Sequence, residues 1–224
     1  MPLTNRCGSR TVYLVLLVLS VCPLFQQVQA KGAKGDLVWQ KAVAIAQANK
    51  GWIPGSAILR IELLNKHGEV EQREETLLHL VSDETGEAPA GPYVDPGSLN
   101  IVGNSPFEPE FQNEISVYFT GETKNVEGRQ CVRYDYVWRK ETEVLTGTAW
   151  LEQDTGIPVK TESSGKQSVQ PKLSSRQRVT VIFHHGSGGA WFPQRMVMEI
   201  EGGLFTLGRD FRITLEYRGY RRTQ

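Results

Sequence analysis

Apolar and polar positions alternate along most of this chain, and that period of two is the signature of strands with one buried face. From Ser56 to Leu64, Leu59, Ile61 and Leu63 alternate with Arg60 and Glu62. From Gln130 to Lys140, Val132, Tyr134, Tyr136 and Trp138 point one way, while Arg133, Asp135 and Arg139 point the other. From Asp210 to Arg218, Phe211, Ile213, Leu215 and Tyr217 oppose Arg212, Thr214, Glu216 and Arg218. Similar segments run over Glu69–Val81, Ile115–Thr120, Thr148–Glu152, Ile157–Ser163, Gln177–His184, Arg195–Glu201 and Leu204–Leu207, making about ten strands joined mostly by short turns. The turns Asn65-Lys66-His67-Gly68 and Gln153-Asp154-Thr155-Gly156 have hairpin chemistry.

The one helical pattern precedes the strands. Asp36 is placed to cap Leu37–Lys50, Gly51 stops it, and Val38, Ala42, Ile45 and Ala46 form an apolar face with Trp39 and Val43 beside it. The expected fold is therefore mainly β (α+β): a strongly curved antiparallel sheet or unclosed β-barrel of about ten strands, with the N-terminal helix as its lid. Residues 83–113 interrupt the pattern with five prolines and several glycines, and read as a long functional loop.

The first thirty residues have a different grammar. Arg6 and Arg10 precede the apolar run Val12–Val21, and Val28-Gln29-Ala30 fits a peptidase site, so residues 1–30 read as a signal peptide cut after Ala30 and 31–224 as a single exported domain. Thr11–Phe25 falls short of the roughly 20 residues a spanning helix needs. Cys7 and Cys22 leave with the leader, so Cys131 stays without an intramolecular disulfide partner. The 25 basic and 25 acidic residues of the full chain provide no basic footprint for nucleic acid. No Asn-x-Ser/Thr acceptor occurs, which favours a bacterial periplasm.

The stretch Gly147-Thr148-Ala149-Trp150-Leu151-Glu152-Gln153-Asp154-Thr155-Gly156-Ile157-Pro158-Val159-Lys160 resembles the strand, acidic turn, Gly and Pro hairpin of bacterial outer-membrane lipoprotein-sorting proteins of the LolA/LolB type and their LppX-like and RseB-like relatives. The order of leader, helix, long hairpin and β meander agrees, as does Asn125-Val126-Glu127-Gly128-Arg129 ahead of the aromatic strand. The resemblance implies an unclosed sheet with a helical lid over a cavity that accepts acyl chains.

Candidate chemistry is sparse. His184 and His185 are adjacent on a strand, so their rings face opposite sides and cannot share one metal ion. Gly186-Ser187-Gly188-Gly189 has no helix behind it to orient a phosphate. Cys131 lacks a local base and orienting group for thiol catalysis. The acidic residues lack the apolar settings that make a glycosidase pair. Five tryptophans, Trp39, Trp52, Trp138, Trp150 and Trp191, are many for such a domain and suit either a core or a ligand pocket. Met196 and Met198 share a strand face with Ile200.

The function expected from these features is that of a periplasmic, non-enzymatic carrier or binding protein for an acyl chain, lipid or lipoprotein-like apolar ligand. No cofactor, metal, nucleic acid or transmembrane segment after leader cleavage is expected. The expected cavity wall is Trp39, Leu59, Ile61, Leu63, Tyr134, Tyr136, Trp138, Phe211, Ile213 and Leu215. The alternative is an envelope protein-interaction or sensor module, with the 83–113 loop contacting a protein partner.

Overall fold

Asp36 begins the first element as its position predicts. Its carboxylate accepts from Val38 N at 2.9 Å, which satisfies one of the amides a helix start leaves unpaired, and helix α1 runs Leu37–Ala48. The computed structural model describes residues 36–80, 105–139, 144–170, 173–185, 191–201 and 209–222. The expected leader, most of the 83–113 loop and the strand Leu204–Leu207 lie outside them.

The strands follow in the order β1 (Trp52–Ile53), β2 (Ser56–Leu64), β3 (Val70–His79), β4 (Ile115–Val126), β5 (Arg129–Arg139), β6 (Val144–Glu152), β7 (Pro158–Gln170), β8 (Leu173–His185), β9 (Trp191–Glu201), β10 (Asp210–Arg218) and β11 (Arg221–Arg222). Nine of them form one antiparallel sheet in the order β3-β2-β10-β9-β8-β7-β6-β5-β4, while β1 and β11 pair separately. All sheet neighbours are consecutive hairpin partners except β2 and β10, whose pairing joins the first hairpin to the end of the chain. The sheet is open, with β3 and β4 as its edges. Five register shifts interrupt the ladders, and bulges of this kind bend strands and increase their twist. Among the described residues no helix is long and apolar enough to cross a membrane.

The sheet's apolar face carries the core. Trp39 of α1, fully buried, packs on Phe107 and Tyr134 with ring centroids 4.9 and 5.6 Å away, and Ala42, Tyr136, Trp138 and Leu151 are among the other members of this cluster. From residues 105–113, expected to be loop, Phe107 and Phe111 join that core. Phe107 is buried, a short 3-10 turn forms at Pro109–Phe111, and Gln112 accepts from Trp39 Nε1 at 3.0 Å. Prolines alone do not prevent packing when a large apolar side chain lies between them.

The recognisable hairpin is where the helix docks. Gly156 has φ +73°, and a Cβ there would sit 2.5 Å from Lys41 Cβ and 2.6 Å from the Val38 carbonyl oxygen. Only glycine satisfies both the turn and the close approach of α1. Lys41 Nζ donates to the Asp154 carbonyl at 2.7 Å, and the Tyr134 hydroxyl donates to Asp36 Oδ1 at 2.7 Å, so the helix is tied down along its first turns.

The opposite face is mostly polar and ion-paired, apart from a small buried cluster around Cys131 and Trp150. Glu62 is buried there, with Arg73 Nε at 2.8 Å and Arg212 Nη1 at 3.4 Å. Burial alone would push its carboxyl up, but the two guanidinium groups outweigh this and hold it below the ordinary carboxylate value. The stability it contributes is present above the unfolded value and lost as pH falls through the folded one. Between about pH 5 and pH 3 the wild-type urea midpoint is therefore expected to fall more than that of Glu62→Gln. Parallel declines in the two proteins would contradict this.

Candidate ligand-binding site

The strand register aligns apolar side chains into rows on one face. Leu59, Leu215, Met196 and Val181 form one row across β2, β10, β9 and β8; Ile61, Ile213, Met198 and Val179 form the next; Leu63, Phe211 and Ile200 form a third. Through β7 and β6 the same face continues to Tyr134, Tyr136 and Trp138 on β5. Burial is graded along it. Leu215 and Met196 are buried, whereas Ile61, Leu63, Phe211, Ile213, Met198 and Ile200 are half-buried.

The expected wall residues thus share this face or the helix above it, but in two settings. Trp39, Tyr134, Tyr136 and Trp138 are interior to the helix core, and their polar atoms are occupied, with Trp138 Nε1 donating to Glu114 Oε2 at 3.0 Å. Tyr136 lies over Gly147, where a Cβ would come within 2.3 Å of its ring. Leu59 and Leu215 belong to a second cluster with Leu78, Leu80, Met196 and Tyr217. Ile61, Leu63, Phe211 and Ile213 form the half-buried part of the track. The hydroxyl of Tyr217, at the buried end of β10, has no hydrogen-bond partner among the described residues.

Continuing along β8 and β9 past Val181 and Met196, the track reaches a cavity of about 180 Å³. Its walls come from the second half of α1, residues 105–108, the end of β8, the start of β9 and Tyr220. Six rings line it: Trp52, Phe107, Phe183, Trp191, Phe192 and Tyr220. Phe192 and Tyr220 are stacked at 4.2 Å, and the Tyr220 hydroxyl donates to the Pro193 carbonyl at 2.6 Å, which fixes that wall. The Asn49 side-chain amide donates to the Trp191 carbonyl, tying the helix end to β9. Of these ring residues, only Trp52 and Trp191 stood out in the sequence as pocket candidates.

Other candidate chemistry is placed elsewhere. A broader groove of about 480 Å³ on the polar face includes Arg133, Asp135, Glu162 and Arg178 in its lining. Its arginines are already paired: Arg133 with Glu122 and Asp135, Arg178 with Glu199. His184 and His185 are exposed, and among the described residues no group of three His, Cys, Asp or Glu side chains could hold a metal ion. Cys131 is fully buried beside Trp150 and Val159, and burial pushes its thiol up to about 11. The thiolate is the reactive form. In a chain cut after Ala30, where Cys131 is the sole thiol, a disulfide reagent is expected to label the protein only on unfolding; rapid labelling of the native state would refute that burial.

No family model matches the chain, and no curated protein is significantly similar to it. Solved structures are similar at low identity. An outer membrane lipoprotein-sorting protein domain from Vibrio parahaemolyticus is 15% identical, with 82% of this chain and 93% of that chain covered and a TM-score of 0.36. A DUF1329 family protein from Desulfovibrio piger is 12% identical, with 83% and 91% covered and a TM-score of 0.38. MucB, solved in complex with MucA(peri), is 12% identical, with 83% and 98% covered and a TM-score of 0.25.

Proposed function

We propose that this chain is an exported, periplasmic, non-enzymatic binding protein or carrier that holds an acyl chain or a similar apolar ligand on the apolar face of its open sheet. The observation that carries this reading is the continuity of the track: half-buried Ile61, Leu63, Phe211 and Ile213 lead through buried Leu215 and Met196 toward a ring-lined cavity. Half-buried apolar rows gain free energy by covering with more apolar surface, at about 25 cal/mol per Å² removed from water. A flexible chain can cover them without a matching shape. Tyr217 supplies a buried hydroxyl, without a partner among the described residues, that can donate to an ester or carboxyl oxygen.

Native mass spectrometry with lipid extraction, on protein recovered from the secretory compartment, tests this reading. Acyl-bearing adducts are expected. Clean apo protein from several preparations, combined with no uptake of added dodecanoate, would overturn the carrier role.

A further inference from the structure

The cavity at the end of the track is too small for a whole amphiphile and too well furnished to be a simple packing gap. Pockets that enclose drug-sized ligands measure roughly 300–1,000 Å³. The 180 Å³ here is closer to the ~150 Å³ engineered cavity that admits benzene, so it takes one compact group.

Its lining indicates which group. Aromatic faces attract cations through their quadrupole, and a ring of this wall already does so: the Arg129 guanidinium carbon lies 4.4 Å from the Trp191 ring centroid. Two charged side chains, Lys50 and Glu108, line the cavity. Lys50 lines it and is paired with Glu110 at 3.3 Å, which leaves the lining residue Glu108 as the excess charge. Its carboxylate has no hydrogen-bond or ion-pair partner among the described residues, and burial, reinforced by Glu110, pushes its carboxyl up while Lys50 opposes this. Six aromatic residues beside a carboxylate that has no direct ion-pair partner among the described residues, with the nearby Lys50 held by Glu110, are more complementary to a compact organic cation than to a carboxylate or phosphate.

We propose that this cavity is a subsite for an alkylammonium group, such as the trimethylammonium of a choline head group, borne by an amphiphile whose chain lies along the track. The placement of the chain rests on the carrier reading above; the ammonium subsite does not. A cation in the cavity supplies Glu108 with the direct partner it lacks among the described residues and meets aromatic side chains of several elements.

Calorimetric titration of delipidated, exported protein with choline and with 3,3-dimethylbutan-1-ol, its uncharged carbon isostere, tests the subsite. Choline is expected to bind at least about tenfold more tightly, and Glu108→Gln to bring the two near parity without lowering Tm. Trp52→Leu, which removes a half-buried ring, is expected to weaken choline and spare the isostere. Equal binding of choline and isostere to the wild type, or an undiminished preference in Glu108→Gln, overturns the proposal.

Two further ligands separate it from the carrier reading. The lipid-like probe n-dodecylphosphocholine, used below its micelle concentration, is expected to bind more tightly than either choline or dodecanoate. Tight dodecanoate binding with no choline preference removes the cation subsite and leaves the carrier standing. A choline preference to which the dodecyl chain adds nothing keeps the subsite, identifies a free small cation as its ligand, and removes the carrier.

Discussion

Replacing Trp39 by alanine is expected to cost about 3–5 kcal/mol of folding stability, the usual range for deleting a fully buried large aromatic. Trp39 is the point at which α1, residues 105–112 and the sheet meet. Its ring touches Phe107 and Tyr134, and its indole N–H donates to Gln112. A helix of 12 residues is marginal by itself, so it persists here by packing. Loss of Trp39 should therefore undock the helix as well as leave a cavity. Urea unfolding gives the loss of stability, and hydrogen exchange of the α1 amides locates it. A cost below about 1 kcal/mol, with α1 still protected, would mean that the Gly156, Tyr134–Asp36 and Lys41–Asp154 contacts hold the helix unaided.

Placing a carboxylate on the track is expected to abolish acyl-chain binding while leaving the protein folded. Ile213 is central: it pairs with Ile61 on one side and Met198 on the other, and it is half-buried, so a glutamate there reaches water without breaking the interior. A bound chain would have to strip water from that charge, which a ligand with no cation at that point cannot compensate. Ile213→Glu should lower dodecanoate affinity by more than about tenfold, against little change for Leu77→Glu on the exposed surface. Circular dichroism and Tm verify that both variants are folded. Unchanged affinity in a folded Ile213→Glu protein would move the chain off the track.

Much of the fold was legible in local patterns. Leu59, Ile61 and Leu63 alternate so cleanly that the pattern predicts β2 with its observed bounds, and the same holds for β10. Asp36 marked the helix start because a carboxylate before an apolar period has a specific role in capping. Other elements extend beyond what their pattern predicts. The strand predicted over Ile115–Thr120 continues to Val126 as β4, beyond a register shift at Phe119, because its outer half is exposed edge with no apolar alternation to reveal it. Phe107 was hidden among prolines, and nothing nearby indicates that it buries itself against Trp39.

The candidate site divides along the same line. The sequence alone determined which side chains share a face, because a period of two assigns every residue of a strand to one side regardless of what the strand pairs with. It also marked Gly156 as a turn residue and placed charge on the polar face. Only the tertiary structure decided that β2 pairs with β10, which joins two distant strands into one apolar track. It alone brought Trp52, Phe107, Phe183, Trp191, Phe192 and Tyr220 around one cavity and placed Glu108 in its lining with no direct ion-pair partner among the described residues. Alternation is a local property of the backbone, whereas a cavity is set by how far the sheet bends and where a helix comes to rest on it, and those are properties of the whole packed chain.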